Sequence, residues 1–163
     1  MSRAWKFGDD LDTDQILPGR YAPFMTGQDK FHAYAFHDAR PEFAKSVKPG
    51  DILVGGENFG CGSSREYAVA ALKILSVGGV VAKNFARIFF RNCVNLGIPV
   101  LESDTALELV ADGDPVTLDL EGGRLLTPRG AAPLRALPPF AQEILSAGGV
   151  VEYLKAHGDF PAV

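Results

Sequence analysis

A glycine-rich stretch between two apolar runs places the strongest constraint on how this chain can fold. Residues 51–54 have the composition of a short buried strand, and residues 55–66 after them read GGENFGCGSSRE. The four glycines let the backbone turn tightly and approach a ligand closely. The Ala- and Leu-rich residues 64–77 have the composition of a helix, whose free N–H groups and positive dipole end would face this loop. The pattern predicts a strand–loop–helix unit with an anion site at the start of the helix.

The anion predicted for this loop is a carboxylate rather than a nucleotide phosphate. A P-loop requires Lys after the glycines, and the dinucleotide fingerprint requires a third glycine where Arg65 stands. The chain has no G-x-S-x-G elbow, and none of its three histidines stands in an obvious triad pattern. There remain Ser63, Ser64 and Arg65, and a guanidinium is suited to fork onto two carboxylate oxygens. Ser63 is therefore a candidate catalytic serine.

A purely structural interpretation of the same residues stands beside this one. Ser63 and Glu66 have the spacing of a capping box, in which Ser63 is the N-cap and Glu66 the third helical residue. Such a cap stabilises a helix by about 1 kcal/mol and needs no chemistry. Capping alone explains neither the second serine nor Asn58 in the glycine-rich approach, and both interpretations stay open at this point.

Alternating strand and helix signals surround the loop. Strands are predicted over 5–7, 79–82 and 98–101, a helix over 86–96, and a β-hairpin from 114–120 and 124–127. Helices are also expected over 29–37, 41–47 and 150–156 and after residue 138. The order implies parallel crossovers, with the glycine-rich loop at the carboxyl end of a strand. Arg87 and Arg91 are interpreted mainly as surface or subunit ion-pairing residues, with substrate contact as the alternative.

Residues 56–66, GENFGCGSSRE, resemble the signature of the swivel domain of the aconitase superfamily, and in particular the free-standing small subunits of 3-isopropylmalate dehydratase and homoaconitase. GDDLDTDQILP at 8–18 and KNFARIFFRN at 83–92 support the resemblance in the same order. The resemblance implies an α/β fold, the swivelling β/β/α domain. It predicts one domain over 1–163, with a motif-bearing core of about 5–102 and a structural C-terminal part of about 103–163.

The resemblance also assigns roles to the site residues. It implies reversible dehydration of a hydroxy di- or tricarboxylate, in which Ser63 removes a proton from carbon as the general base. Ser64 and Arg65 would bind a substrate carboxylate. Asp14 corresponds to the Asp of the family's Thr-Asp pair, which helps to position the catalytic serine and the substrate. The nearby Asp12, like Asp10, is expected to bond to the local backbone in a turn.

The segment after the first strand discriminates substrates in related small subunits. Here Phe24 and Met25 could form an apolar floor for an isopropyl group, as in 3-isopropylmalate dehydratase. Arg20 could instead meet the extra carboxylate of a homocitrate-type substrate, as in homoaconitase. Packing of the loop against the core and a solvated charge are equally open interpretations of these residues.

Cysteine count bears on the cofactor that the resemblance implies. A 4Fe–4S cluster takes three or four thiolates, and the chain has only Cys61 and Cys93. The resemblance therefore implies a cluster in a partner large subunit, in a heterodimer or heterotetramer, with no metal site in this chain. Hydroxide would leave toward the cluster iron, and neither subunit would be active alone. Cys93 is expected to be buried in the core, without a disulfide to Cys61.

Composition excludes several other classes of function. The net charge of −4 predicts no broad attraction to nucleic acid or acidic membranes. No run of 18 apolar residues is present, and the polar N-terminus does not resemble a signal peptide, so a cytoplasmic location is expected. Three hypotheses remain open: a 3-isopropylmalate dehydratase small subunit, a homoaconitase small subunit, and a non-catalytic carboxylate-binding or assembly module that uses the loop as a cap.

Overall fold

A computed structural model describes residues 1–161, and a seven-stranded mixed sheet runs through its centre. Its strands are β1 Ser2–Lys6, β2 Ile52–Val54, β3 Gly79–Ala82, β4 Val100–Glu102, β5 Pro115–Asp119, β6 Arg124–Thr127 and β7 Gly130–Pro133. They lie in the order β4-β3-β2-β1-β5-β6-β7. The first four strands are parallel, and β5, β6 and β7 form an antiparallel meander that joins the sheet beside β1. The predicted domain range ends at residue 163, and residues 162 and 163 lie outside the described part.

Eight α-helices are found within residues 1–161: α1 Thr13–Ile16, α2 Pro23–Thr26, α3 Phe43–Ser46, α4 Glu66–Ile74, α5 Arg87–Asn95, α6 Ala106–Leu109, α7 Pro139–Ala147 and α8 Val150–His157. Two 3₁₀-helices cover Gly19–Tyr21 and Phe31–Tyr34. Strand β2, helix α4, strand β3, helix α5 and strand β4 follow one another as the sequence predicts. The α/β class is therefore confirmed.

The core lies on both faces of the parallel strands. Leu53 belongs to a large cluster with α4, α5, α7 and α8, whereas its neighbours Ile52 and Val54 belong to a smaller cluster with α6 and the meander strands. All three residues of β2 are buried. Because successive side chains of a strand point to opposite faces, a strand covered on both faces must be apolar at every position. This explains the unbroken apolar run before the glycine-rich loop.

The structure differs most from the predicted elements in three places. The helix expected over 29–37 is reduced to the 3₁₀-helix Phe31–Tyr34, and Phe36 after it has a left-handed φ of 55°. Helix α4 is shorter than the predicted 64–77, since Ser76 also adopts a left-handed φ, of 60°. The hairpin of β5 and β6 is extended by β7, a strand that the sequence analysis did not predict.

Candidate active site

The candidate site lies where three neighbouring parallel strands end. The segments that follow β1, β2 and β3 leave the sheet at the same edge, the position where open α/β sheets bind ligands. Backbone contacts hold the three segments together: Gly60 N donates to Leu11 O at 2.8 Å, and Phe59 forms an isolated parallel bridge to Phe85. The glycine-rich loop, residues 55–65, is thus supported from both sides.

Side chains from the flanking segments bind the first half of this loop. Asn58 has a left-handed φ of 56°, and its backbone N–H donates to Asn84 Oδ1 at 2.6 Å. Its side-chain amide donates to Asp10 Oδ1 at 3.2 Å. Asp10 therefore binds the loop across the site, whereas the sequence analysis expected a bond to its local backbone.

Two positions of the loop require glycine, because their φ is positive and because a neighbouring side chain leaves no room for a Cβ. Gly60 has φ 83°, and a Cβ there would lie 2.1 Å from the Phe89 ring. Gly62 has φ 92°, and a Cβ there would lie 2.4 Å from Asp12 Oδ2. Any larger residue would be strained and would push the loop away from α5 or from the Asp12 carboxylate.

The interpretation of Ser63 and Glu66 as a capping box is wrong. Helix α4 begins at Glu66, its N-cap is Arg65, and no side chain caps it. The capping box belongs to α1 instead, where Asp12 Oδ1 accepts from Asp14 N at 2.6 Å and Gln15 Oε1 accepts from Asp12 N at 2.8 Å. The local bond expected of Asp12 is therefore present, and Ser63 has no capping role.

Helix α1 fixes the backbone of the candidate serine. The buried Thr13 donates from its Oγ1 to Ser63 O at 2.8 Å, and its backbone N–H donates to Cys61 O at 2.8 Å. The hydroxyl-bearing residues Ser63 and Ser64 are exposed. The loop thus exposes two serines to solvent, while its backbone is bound by the segments that follow β1 and β3.

Asp14 contacts the arginine of the loop. Its Oδ1 accepts from Arg65 Nη1 at 2.6 Å and from Gly19 N at 3.0 Å. Gly19 leaves no room for a side chain, since a Cβ there would lie 2.8 Å from the same Nη1. The guanidinium is therefore held between α1 and the Gly19 backbone, and its Nε and Nη2 form no hydrogen bond to residues 1–161. That Asp14 positions the serine stays a prediction.

A cavity of about 180 Å³ opens beside the loop. One wall is formed by Thr13 and by loop residues that include Ser63, Ser64 and Arg65, and the other by residues of α5 that include Arg87, Ile88 and Asn92. Arg87 was interpreted from the sequence mainly as a surface or subunit ion-pairing residue, with substrate contact as the alternative, and it lines this cavity.

Comparisons with known proteins identify the family to which this chain belongs. The model of the aconitase C-terminal domain matches residues 12–105, which include the α1 segment, the glycine-rich loop and α5. The chain belongs to this family. The prediction made from the three sequence segments is confirmed.

Individual relatives match over almost the whole chain. The homoaconitase small subunit of Thermus thermophilus is 58% identical over 99% of this chain and 99% of its own length. The 3-isopropylmalate dehydratase small subunit 1 of Deinococcus radiodurans is 55% identical over 99% of this chain and 90% of its own length. The crystal structure of 3-isopropylmalate dehydratase (LeuD) from Methanocaldococcus jannaschii superposes with a TM-score of 0.87 at 40% identity, covering 96% of this chain and 93% of that one. The swivel-domain fold type is confirmed.

The residues predicted to select the substrate lie outside the cavity in this aconitase-family chain. Arg20 forms an ion pair with Asp38 and lies over the Tyr21 ring, 4.6 Å from its centroid. Phe24 and Met25, on α2, are 79% and 63% exposed. None of the three lines the cavity beside Ser63, and their contact with a substrate stays a prediction.

The cysteines do not fit an iron–sulfur cluster. Cys93 is fully buried in the core as expected, and burial raises the pKa of its thiol well above the ordinary value. Burial, and then the negative charges of Asp12 and Asp10, also raise the pKa of Cys61, which keeps its thiol protonated at neutral pH. No three side chains of His, Cys, Asp or Glu come together as a metal site within residues 1–161. These donors do not meet the need of a cluster for three or four thiolates.

The helices of residues 1–161 include none with the length and apolar character needed to cross a membrane.

Proposed function

We propose that this chain is the small subunit of a 3-isopropylmalate dehydratase, which interconverts 2- and 3-isopropylmalate by dehydration and rehydration. The observation that carries the proposal is the Ser63-Ser64-Arg65 run of an aconitase-family loop, in which both serines are exposed, Ser63 caps no helix, and all three residues line a cavity. A serine that is anchored through its backbone and free at its hydroxyl suits a proton-transfer role better than a structural one.

Ser63 acts as the general base and removes a proton from the substrate carbon through its Oγ. A serine alkoxide is unstable at neutral pH unless nearby positive charge stabilises it. The guanidinium of Arg65 supplies such charge and is held in place before substrate arrives, so that no reorganisation is needed during the reaction. Because Asp14 occupies Nη1, the Nε and Nη2 edge of Arg65 is left to bind a carboxylate together with the Ser64 hydroxyl.

The rest of the active site belongs to a partner in this proposal. The thiols of this chain cannot assemble a 4Fe–4S cluster, so the cluster is assigned to a large subunit that closes over the cavity. The Thermus thermophilus and Deinococcus radiodurans relatives are themselves named as small subunits, which supports a two-chain enzyme. A cytoplasmic location fits the small hydroxy-carboxylate substrate.

Homoaconitase activity is the second candidate function. The 58% identity to the Thermus thermophilus homoaconitase small subunit favours it, and the 55% identity to the Deinococcus radiodurans dehydratase subunit is almost as high. The two candidates share the base and the carboxylate-binding loop and differ only in the substrate.

The test is reconstitution with the large subunit under anaerobic conditions. Isopropylmalate and homoisocitrate are offered in parallel, and the ultraviolet absorbance of the unsaturated product reports dehydration. Turnover of isopropylmalate supports the proposal, and turnover of homoisocitrate alone supports the second candidate. No turnover of either by an intact cluster-bearing complex contradicts both and points to another hydroxy acid as substrate. Failure to assemble with any cluster-bearing subunit favours a non-catalytic carboxylate-binding or assembly module.

Ser63→Ala tests the role of the base in the same complex. Loss of a general base lowers kcat by roughly 10²–10⁴-fold. Because Ser63 caps no helix, the variant should unfold at the same urea concentration as the wild type. Ser146→Ala, which changes an exposed serine of α7, is the matched control and should leave turnover unchanged. Turnover that survives Ser63→Ala would assign the base elsewhere.

A further inference from the structure

The wall of the cavity opposite the serines carries a second arginine. Arg87 is the first residue of α5, lines the cavity, and is exposed. It enters none of the ion pairs or side-chain hydrogen bonds found among residues 1–161. The first turn of α5 also has no acidic residue, and no side chain caps it. A cation and the positive end of a helix therefore face the same space without a counter-charge.

Other arginines near the site are already occupied or face elsewhere. Arg20 is paired with Asp38 and does not line the cavity. Arg91 follows Arg87 by one helical turn and is exposed, but it does not line the cavity either. Among the described residues, Arg65 and Arg87 are thus the cations that line it, one on each wall.

A substrate with two carboxylates has a use for both cations. One carboxylate is assigned to Ser64 and to the free edge of Arg65, whose Nη1 is already bound to Asp14. A second carboxylate in the cavity would be costly to desolvate without a charged partner. Guanidinium groups make strong, often bidentate, hydrogen bonds to carboxylates.

We propose that Arg87 binds the substrate carboxylate that Ser64 and Arg65 do not hold. This inference rests on the proposed function and adds a substrate-binding residue to it. The site then has a carboxylate-binding group on each wall, and Ile88, which lines the cavity and is 49% exposed, offers an apolar surface for the alkyl part of the substrate. The geometry selects dicarboxylates over monocarboxylates of the same shape.

Three variants in the assembled complex test this role. Arg87→Gln removes the charge, Arg87→Lys keeps it without the planar fork, and Arg91→Gln is the control on the same helix. Loss of a charge-assisted hydrogen bond should raise KM for the substrate by about 10–100-fold in Arg87→Gln, with partial rescue in Arg87→Lys. Arg91→Gln should leave KM unchanged. Equal effects of Arg87→Gln and Arg91→Gln would overturn the proposal.

Inhibitor and probe binding separates substrate contact from subunit contact. The probes are 2-isopropylsuccinate and its monoamide, and calorimetry measures their affinity for each complex, while sedimentation velocity measures assembly. The wild type should prefer the dicarboxylate, and Arg87→Gln should lose most of that preference while assembling normally. Weakened assembly with an unchanged preference would overturn the proposal and assign Arg87 to the partner interface.

The same experiment distinguishes failure of this inference from failure of the proposed function. If Ser63→Ala abolishes turnover but the dicarboxylate preference does not depend on Arg87, only the role of Arg87 is overturned. If the wild-type complex turns over neither substrate, the proposed function fails, and the calorimetric preference still decides whether Arg87 binds a carboxylate.

Discussion

Replacement of Asp14 by Asn should impair catalysis far more than it impairs folding. The side chains of Asp14 and Arg65 are 59% and 24% exposed, so their ion pair is largely hydrated. A pair of this kind contributes about 0.5–1 kcal/mol to the free energy of unfolding. For a chain of this size the melting temperature should fall by only about 1–4 °C.

The catalytic loss follows from the geometry of Arg65. Without the 2.6 Å contact to its Nη1, the guanidinium can leave the position between α1 and the Gly19 backbone. A displacement of about 1 Å in a positioning group costs up to roughly 10²-fold in rate, so kcat/KM should fall by about 10–100-fold. Glu152→Gln, which breaks the exposed ion pair with Lys155 on α8 outside the cavity, is the matched control and should leave kcat/KM unchanged.

A double-mutant cycle decides whether Asp14 acts through Arg65. Steady-state turnover is measured in the reconstituted complex for Asp14→Asn, Arg65→Gln and the double variant. If the ion pair is the route, Asp14→Asn should cost almost nothing once Arg65 is replaced. Effects that simply multiply, with free energies additive to within about 0.5 kcal/mol, would refute this reasoning and favour a direct action of Asp14 on Ser63 or on the substrate.

Three further substitutions test the supports of the site and of the core. Thr13→Val removes the hydrogen bond to Ser63 O, so the free energy of unfolding in urea should fall by about 1 kcal/mol and kcat should also decrease. Thr13→Ser keeps the hydroxyl and should preserve both stability and kcat. A Thr13→Val variant with wild-type kcat would contradict the anchoring role. Burial alone would raise the pKa of Asp51, but the N–H groups that donate to its carboxylate outweigh burial and lower the pKa below the ordinary value. The ionised Asp51 therefore stabilises the fold fully above about pH 4, and this stabilisation is lost as the pH falls through the lowered pKa. Asp51→Asn should therefore cost about 1–3 kcal/mol at pH 7, and a deficit that persists undiminished in acid would disprove this. Gly60→Ala meets the Phe89 ring at a left-handed φ and should lower stability by about 2–4 kcal/mol in thermal denaturation; a variant as stable as wild type would show that the loop yields there.

The parallel half of the fold was predictable because its signals are local. The apolar runs that became β2 and β3 are short, end at glycines or polar residues, and are buried on both faces. Helix α5 was predicted within one residue at each end, since its buried Phe89 and Cys93 recur at helical spacing. Because the predicted strands are parallel, the loop after β2 was expected at the edge where the carboxyl ends of the strands meet.

The capping-box interpretation of Ser63 and Glu66 was wrong because tertiary contacts override the local sequence pattern. The spacing of Ser63 and Glu66 is that of a box, but the backbone at Ser63 is bound by Thr13, which lies 50 residues earlier. The chain therefore enters the helix only after Arg65. The local sequence around Ser63 cannot indicate a hydrogen-bond partner that lies so far away in the chain.

Strand β7 and the structure of segment 29–37 were not predicted because tertiary contacts determine them as well. Strand β7 contains only Gly, Ala and Pro, which have low strand propensity, and it is held by its pairing to β6 and by the burial of Ala132. In the segment 29–37, burial of Phe31 and Phe36 in the main core replaces a regular helix with a 3₁₀ turn.

The size and charge of the cavity together argue that this chain forms only part of an active site. Its volume of about 180 Å³ is below the roughly 300–1,000 Å³ typical of small-molecule sites. Its walls carry Arg65 and Arg87, and its serines are exposed, so it offers charge and hydroxyl groups without enclosing a substrate. Exclusion of water, which strengthens every charge interaction in a site, therefore requires a second surface. In the proposed two-subunit enzyme, a partner that brings the cluster and closes the cavity would supply both missing elements, and a base on this chain would then depend on the other chain for activity.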